Sequence, residues 1–303
     1  MHRSHISPPA ATRITASVLL LALPAASGCS STSDPSASRQ ALRRSLIFHA
    51  SFDHGLDADV AAGPRGLSNA PSLQQRDAAS AGLPSNGEVQ LAPGAGRFGN
   101  ALRFTRRESP LVFFSGERNA GYRKADWSGT VSFWLQVDPA AELAPGYCDP
   151  IQITPRAWND AAFFVEFEKR TNDVPFRLGA YADFAVWNPL NRRWEDLPVT
   201  EKPVVAVAEP PFRAGRWTHV VFTFEHFNSG RDDGLARLYL DGTPAGSIGP
   251  RRQTYTWDEA RSLIMLGVGY LGLWDELAIF DRALVPSEVA AIHALPNGIA
   301  DLR

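Results

Sequence analysis

Apolar residues recur at every second position in several stretches of the chain, most clearly in residues 129–137. There Val131, Phe133, Leu135 and Val137 fall on one face of an extended strand, opposite polar residues and a tryptophan. Gly, Asp or Pro lies near the ends of the alternating stretches, where turns are expected. The pattern predicts an all-β fold of antiparallel sheets stacked face to face. Further strands are predicted at residues 45–53, 97–104, 111–114, 162–168, 176–187, 217–224, 236–242 and 274–280.

A helix is predicted only near the C-terminal end, at residues 286–295. Pro286 suits the first helical position, and Val289, Ile292 and Leu295 form one apolar stripe. Val285 stands at the capping position and brings no side-chain acceptor, which costs about 1 kcal/mol relative to a serine. We expect a short helix that packs against the sheets.

Composition limits the class of protein. The chain has 303 residues, 44% of them hydrophobic, which suffices for one large β-domain. A formal charge of −2 and a pI near 6.4 offer no broad basic surface, so no nucleic-acid partner is predicted. The 8 tryptophans are more than a core of this size needs, and some are expected at a binding surface.

The N-terminal segment has the pattern of a bacterial export signal. Residues 1–28 hold basic residues, then an apolar run too short for a stable membrane span, then small residues before Cys29. This order resembles a lipobox, so lipidation of Cys29 and anchoring to a membrane of the cell envelope are predicted, the outer membrane in a Gram-negative cell. Residues 29–44 are rich in serine and predict a disordered tether, with the folded domain at 45–303.

Six motifs stand in order along the chain: Phe52-Asp53, residues 96–104, Val131-Ser132-Phe133-Trp134, residues 217–222, residues 238–242 and residues 275–284. Together they resemble laminin-G-like domains of the concanavalin A-like superfamily. The resemblance implies a jelly-roll sandwich of two antiparallel sheets, with a short C-terminal helix after the last strand. Residues 138–216 have no counterpart in the family, so the ligand surface cannot be inherited from it.

Alternation within the unmatched segment suggests a carbohydrate-binding face. On the strand predicted at 176–187, Arg177, Tyr181, Asp183 and Trp187 lie opposite apolar residues, and Trp158 and Trp194 are close in sequence. Flat aromatic rings stack on the C–H faces of sugars, while charged and amide groups bind hydroxyls. The alternative is that these rings cover a sheet edge or pack the inserted segment.

A hydrolase is the main rival interpretation. Laminarinase-like enzymes of this superfamily carry a Glu-x-Asp-x-x-Glu motif, which the chain lacks; Glu166 and Glu168 are its nearest approach. Their predicted separation of about 7 Å lies between those of retaining and inverting glycosidases. The alternative is a pair of solvated structural carboxylates.

Calcium is the one metal that the sequence suggests. Asp53 ends the first predicted strand and Asp275 lies in the last, and a jelly roll brings such strands together. The resemblance implies that an aspartate in the last-strand motif binds a structural Ca²⁺, which prefers hard oxygen ligands. Ordinary hydrogen bonding to turn amides is the alternative for both.

Cys148 and His219 are predicted to be structural, the first as a small buried residue and the second within the strand at 217–224. The sequence thus favours a lipid-anchored, non-catalytic surface module that recognises a glycan. A hydrolase using Glu166 and Glu168, and an adhesion module that binds protein, remain alternatives.

Overall fold

Two antiparallel sheets stack face to face, as the alternating pattern predicts. The structure, a computed structural model, describes residues 35–303, so the predicted signal peptide, Cys29 and residues 29–34 lie outside the described residues. No helix in the described part is long and apolar enough to cross a membrane.

The first sheet has nine strands, ordered β15-β14-β13-β8-β17-β1-β2, with β6 pairing β17 and β5 pairing β6. Its members are β1 (Leu46–Ala50), β2 (Val60–Ala61), β5 (Val89–Ala92), β6 (Ala101–Phe104), β8 (Trp127–Gln136), β13 (Trp217–Phe227), β14 (Gly234–Leu240), β15 (Thr243–Arg251) and β17 (Gly272–Phe280).

The second sheet has eight strands, ordered β12-β11-β10-β9-β16-β7-β3-β4. They are β3 (Leu67–Ala70), β4 (Ser80–Ala81), β7 (Leu111–Ser115), β9 (Gly146–Thr154), β10 (Ala162–Lys169), β11 (Phe176–Tyr181), β12 (Val204–Val207) and β16 (Leu263–Val268).

The helices are α1 (Pro35–Ser45), α2 (Pro139–Glu142), α3 (Phe184–Trp187) and α4 (Pro286–His293). Short 3₁₀ turns lie at Arg76–Ala78, Trp194–Asp196, Val199–Glu201, Glu259–Arg261 and Gly298–Leu302.

The core lies between the two sheets. Strand β8 runs between β13 and β17, and its Phe133 is fully buried against the Trp274 ring at a centroid distance of 5.0 Å. Ile151, Val165 and Leu178 of the second sheet face the same core. Alternation along each strand therefore divides every central strand into a core face and an outer face.

The predicted disordered tether, residues 29–44, is wrong for its described part, residues 35–44, because helix α1 begins at Pro35. The serine-rich composition concealed a run of good helix formers, and arginines in its last turn suit the helix dipole. Leu42 is buried against the outer face of the first sheet. Burial of Leu42 against the sheet thus helps to hold α1 in place.

Helix α4 confirms the predicted C-terminal helix. Val285 has no side-chain acceptor at the capping position, but the Glu288 carboxylate accepts the Val285 amide at 3.1 Å and binds the Arg282 guanidinium. Val289 and Ile292 pack on the outer face of the first sheet. That face is therefore closed by α1, α4 and the 3₁₀ turn at Gly298–Leu302.

His219 has the structural role that the sequence predicts. Its Nε2 lies 2.8 Å from the Ser132 hydroxyl, and its ring packs against those of Trp134 and His293. Burial, with a further contribution from His293, lowers the pKa of His219 to about 3. The ring stays neutral within the covered face.

Candidate functional site

A cavity of about 840 Å³ lies on the outer face of the second sheet. Its floor is built by β9, β10 and β11, whose alternate residues point away from the core. Helix α3 and the turn at Trp194–Asp196 form one wall, and Arg107 with the end of β16 forms another.

Strand register fixes the middle of the floor. Gln152 of β9, Phe164 of β10 and Gly179 of β11 stand side by side across three strands. The Phe164 ring covers Gly179, where a Cβ atom would lie 2.3 Å from the ring. Glycine at 179 therefore lets an aromatic ring lie flat on the sheet and form an apolar floor.

Tyr181 is the centre of an aromatic cluster. Its ring stacks on Phe164 at 5.3 Å and on Trp194 at 6.4 Å, and meets Trp187 at 5.0 Å and Trp158 at 5.7 Å edge to face. Tyr181 is 2% exposed, whereas Trp158 is 54% exposed. The cluster thus runs from a buried floor to an open rim, and burial raises the pKa of the Tyr181 hydroxyl, which stays protonated.

The predicted strand at 176–187 is wrong beyond Tyr181, because the chain leaves the sheet and forms α3. The parity that placed Trp187 on an exposed face opposite Phe184 therefore does not apply, and both side chains line the cavity. Trp187 is half-buried, and its indole N–H donates to the Asn159 carbonyl at 2.9 Å. It is a fixed part of the wall.

Asp183 is the one predicted binding residue that does not line the cavity. Its carboxylate accepts hydrogen bonds from the Thr256 hydroxyl at 2.7 Å and the Thr256 amide at 3.0 Å, and it pairs with Arg156. These contacts tie the start of α3 to the segment before the turn at Glu259–Arg261. The polar atoms of Asp183 therefore serve the fold, and ligand binding by Asp183 stays a prediction.

Arg177 lies in the floor, held between two carboxylates. Its Nε is 2.9 Å from Glu166 Oε1, a second N–H also binds Glu166, and its Nη1 is 3.0 Å from Glu168. The guanidinium also lies 4.9 Å above the Tyr147 ring. The Arg177 guanidinium is therefore bound by side chains of the protein itself.

Glu166 and Glu168 occupy different environments. Glu166 lines the cavity at 5% exposure, and burial, with the charge of Glu168, raises its pKa despite Arg177. Glu168 does not line the cavity, and Arg170, Arg177 and Tyr147 hold its pKa below the usual range despite partial burial. The alternative of two solvated carboxylates is wrong, because both are fixed in ion pairs.

Asp149 is a cavity residue that sequence analysis missed. A bulge between Val165 and Phe167 sets Glu166 across from the Asp149 region of β9. Burial, with the charge of Glu166, raises the pKa of Asp149 well above its usual range. Alternation in residues 146–154 was the available signal, but a proline and scattered polar residues obscured it.

Three polar side chains of the floor have no hydrogen-bond partner among the described residues: Asp149, Gln152 and the Tyr181 hydroxyl. Gln152 is 6% exposed, so its amide faces the cavity at a cost unless a ligand or water binds it. Neighbouring Cys148 is free and buried, and desolvation raises its pKa to about 12, so it is an inert thiol.

Asp53 and Asp275 meet at one loop, residues 96–100. Asp53 Oδ1 accepts the Asn100 amide at 2.7 Å, and Asp275 Oδ2 accepts the Phe98 amide at 3.1 Å. Asp275 is fully buried and its Oδ1 has no partner among the described residues. Burial raises the pKa of Asp275 to about 8, with a further contribution from the charges of Glu276 and Asp53. Hydrogen bonds from two backbone amides act in the opposite direction.

This arrangement fits a hard cation in part. The orphaned Oδ1 of Asp275 and the nearby Asp53 carboxylate are the ligands that Ca²⁺ prefers. The described residues hold no group of three or more His, Cys, Asp or Glu side chains that could bind a metal, so backbone carbonyls and water would complete the coordination. The hydrogen bonds of Asp53 and Asp275 to loop amides are observed, and calcium binding stays a prediction.

A jelly-roll domain with an aromatic cavity on one outer face is the class of protein that these features define. A family profile described as "Concanavalin A-like lectin/glucanases superfamily" matches residues 125–290, more than half of the chain. The chain belongs to this family. A search of curated proteins gave no significant match.

Solved structures share the fold at low identity. Domain 4 of AbnA, a GH43 extracellular arabinanase from Geobacillus stearothermophilus, in complex with arabinotriose, is 18% identical with a TM-score of 0.49, over 81% of this chain and 97% of that one. The binding domain of botulinum neurotoxin DC in complex with SialylT is 13% identical with a TM-score of 0.52, over 86% of this chain. This chain spans 52% of that domain's length, so the likeness concerns its fold alone.

Proposed function

We propose that the domain binds a glycan in the aromatic cavity and releases it chemically unchanged. The observation that carries this proposal is the cluster around Tyr181, which ends in the 54% exposed Trp158 and adjoins unpaired polar groups. Sugars offer C–H faces for such rings and hydroxyls for such polar groups. Five of the six predicted binding residues line this cavity: Arg177, Tyr181, Trp187, Trp158 and Trp194.

Shape favours a glycan over a protein partner. The cavity volume of about 840 Å³ lies in the range of small-ligand sites, whereas protein interfaces are broader and flatter. The printed descriptions of two fold relatives, botulinum neurotoxin domains of types DC and C, mention SialylT and ganglioside molecules. These support a glycan only by analogy of fold.

The hydrolase alternative meets a geometric difficulty. Glycosidases need one carboxylic acid and one carboxylate that both reach the scissile bond. Glu168 lies outside the cavity and Glu166 binds Arg177 through two N–H groups. Glu166→Gln provides the test: if the chain cleaves the glycan it binds, this variant should lose turnover by a factor of about 100 or more.

Trp158→Ala tests the binding proposal. Because the ring is exposed, its removal should leave the fold intact while weakening glycan binding by about 2 kcal/mol, roughly thirtyfold in Kd. Val285→Ala, an equally exposed apolar truncation away from the cavity, is the matched control. A glycan array followed by titration calorimetry with residues 35–303 supplies the readout. Unchanged affinity in Trp158→Ala, or binding of no glycan at all, contradicts the proposal.

We further propose that Asp53 and Asp275 hold a structural Ca²⁺ with backbone oxygens of residues 96–100. The support is the buried, partnerless Oδ1 of Asp275 and the closeness of the Asp53 carboxylate. The ion would stabilise the folded chain by mass action and leave the glycan cavity unchanged. A chelator should lower the melting temperature of the native protein and have little effect on Asp275→Ala.

Anchoring through a lipidated Cys29 completes the proposal and places the module at the bacterial cell envelope. Its support is the run of small residues and the apolar segment before Cys29. Cys29→Ala should leave the precursor unprocessed and unlabelled by a fatty-acid analogue. Unchanged labelling would show that the anchor lies elsewhere.

A further inference from the structure

The cations of the cavity are already bound by the protein itself. Arg107 donates to the carbonyls of Pro145 at 2.6 Å and Tyr147 at 3.3 Å. Arg192 pairs with Glu201. Arg177 is held by Glu166 and Glu168 in the floor.

Lys202 adds a fourth positive charge nearby, and this charge lies against an aromatic ring. Its Nζ lies 4.8 Å above the Trp194 ring, and the residue does not line the cavity. An acidic group of a ligand would therefore compete with Glu166 and Glu168 for Arg177 and with Glu201 for Arg192, whereas Arg107, in the wall, binds carbonyls alone. Breaking a buried ion pair leaves a charge without its partner, which is costly.

The unpartnered side chains in the floor are not cations. Asp149 offers carboxyl oxygens, Gln152 offers one acceptor and two donors, and Tyr181 offers a hydroxyl. Asp149 stands near Glu166, and burial together with the charge of Glu166 raises the pKa of Asp149 well above its usual range, so this part of the floor disfavours a negative charge. Sugar hydroxyls can exchange hydrogen bonds with these groups, whereas a ligand carboxylate or sulfate would lie beside the Glu166 carboxylate as a like charge.

We propose that the cavity selects glycans without acidic groups and rejects uronates, sialylated glycans and sulfated glycans. The inference rests on the proposed glycan-binding function and names its ligand class. The cavity would discriminate through an unfavourable contact. An acidic ligand finds no free cation in the floor, whereas an uncharged glycan can form hydrogen bonds with Gln152 and Tyr181. Fold relatives described with SialylT would thus differ from this chain in ligand charge.

The test compares ligands of one backbone with and without charge. Oligogalacturonides and their methyl esters, and dextran and dextran sulfate, are matched pairs to add to the array. In each pair that includes a bound member, the uncharged form should bind at least about tenfold more tightly, with little dependence on ionic strength. Preference for acidic members, with affinity that falls as salt rises and is lost in Arg107→Gln or Lys202→Gln, overturns the inference while leaving glycan binding intact. Binding of no glycan contradicts the proposed function instead.

Glu166→Gln sharpens the assignment. Loss of this carboxylate weakens the hold on Arg177, so the preference for the uncharged form should narrow by a factor of about 3 or more. Asp232→Asn, which removes an exposed carboxylate in the β13–β14 loop, is the control with the same charge change. If both variants remain folded by circular dichroism and keep the native preference, the pairing of Arg177 with Glu166 does not cause the rejection of acidic ligands, and the inference is wrong.

Discussion

The two sheets share one core but treat their outer faces in opposite ways. The outer face of the first sheet is covered by α1, α4 and the C-terminal turn, whose contacts are with buried residues such as Tyr239 and Phe280. The outer face of the second sheet, beneath the cavity, is covered by aromatic rings that leave about 840 Å³ between them. Both faces are shielded from water, and the cavity face also leaves space for a ligand.

The two faces also differ in what surrounds their polar atoms. On the covered face, His219 binds Ser132 and Glu288 binds Arg282, and the atoms without a partner, such as His219 Nδ1 and His293 Nδ1, are buried among packed rings. On the cavity face, the side chains without a partner among the described residues, Asp149, Gln152 and Tyr181, line an open space. A ligand in that space could therefore supply the missing hydrogen bonds.

The largest expected effect is on the covered face. Phe280→Ala should lower the free energy of unfolding by about 3–5 kcal/mol, because it removes a fully buried ring and leaves a cavity in its place. Urea unfolding followed by tryptophan fluorescence measures the change. A loss below about 1 kcal/mol would mean that α1 and α4 do not seal this face.

Trp187→Ala comes next and tests the wall of the cavity. The half-buried indole packs against Tyr181 and Phe184 and donates to the Asn159 carbonyl, so its loss should cost about 2–3 kcal/mol. Glycan affinity should fall as well. Trp187→Phe should recover part of the stability but not the hydrogen bond. If Trp187→Ala is as stable as the native chain, α3 is not a fixed wall.

The third effect concerns Asp275 and pH. The folded chain keeps this proton up to about pH 8, while the unfolded chain releases it near 3.8, so the folded state binds more protons between these values. Stability therefore falls as pH rises through this interval, by on the order of 1–3 kcal/mol in metal-free protein. Asp275→Asn should remove this dependence, and Ca²⁺ should flatten it in the native chain. Equal slopes in both proteins would contradict the assignment.

The sequence predicted the strands whose two faces differ most in polarity. The strand around Phe133 and the helix with Val289 and Ile292 were predictable, because period and packing agree there. The site was predictable only in part. Tyr181 keeps the parity of β11, whereas Trp187 does not, because the chain leaves the sheet within two residues and forms α3, which alternation cannot predict.

The remaining errors have the same origin. Asp149 depends on a bulge that pairing across strands creates, and no local pattern marks such a bulge. Helix α1 depends on Leu42 meeting a sheet that lies distant in sequence. Contacts between residues distant in sequence therefore determine the position of Asp149 and the formation of α1, which composition and hydrophobic periodicity could not predict.

Trp158→Ala should have the smallest effect on stability and so completes the contrast between the faces. Its ring is exposed and contacts Tyr181 only edge to face, so truncation should change the free energy of unfolding by about 1 kcal/mol or less. Its effect on glycan affinity should exceed its effect on stability, the reverse of Phe280→Ala. Measuring both quantities in both variants, with Trp158→Phe to restore a flat ring, tests the division directly. Should Trp158→Ala destabilise the chain as much as Phe280→Ala, the rim would be part of the core, and the cavity would lose its claim to be a ligand site.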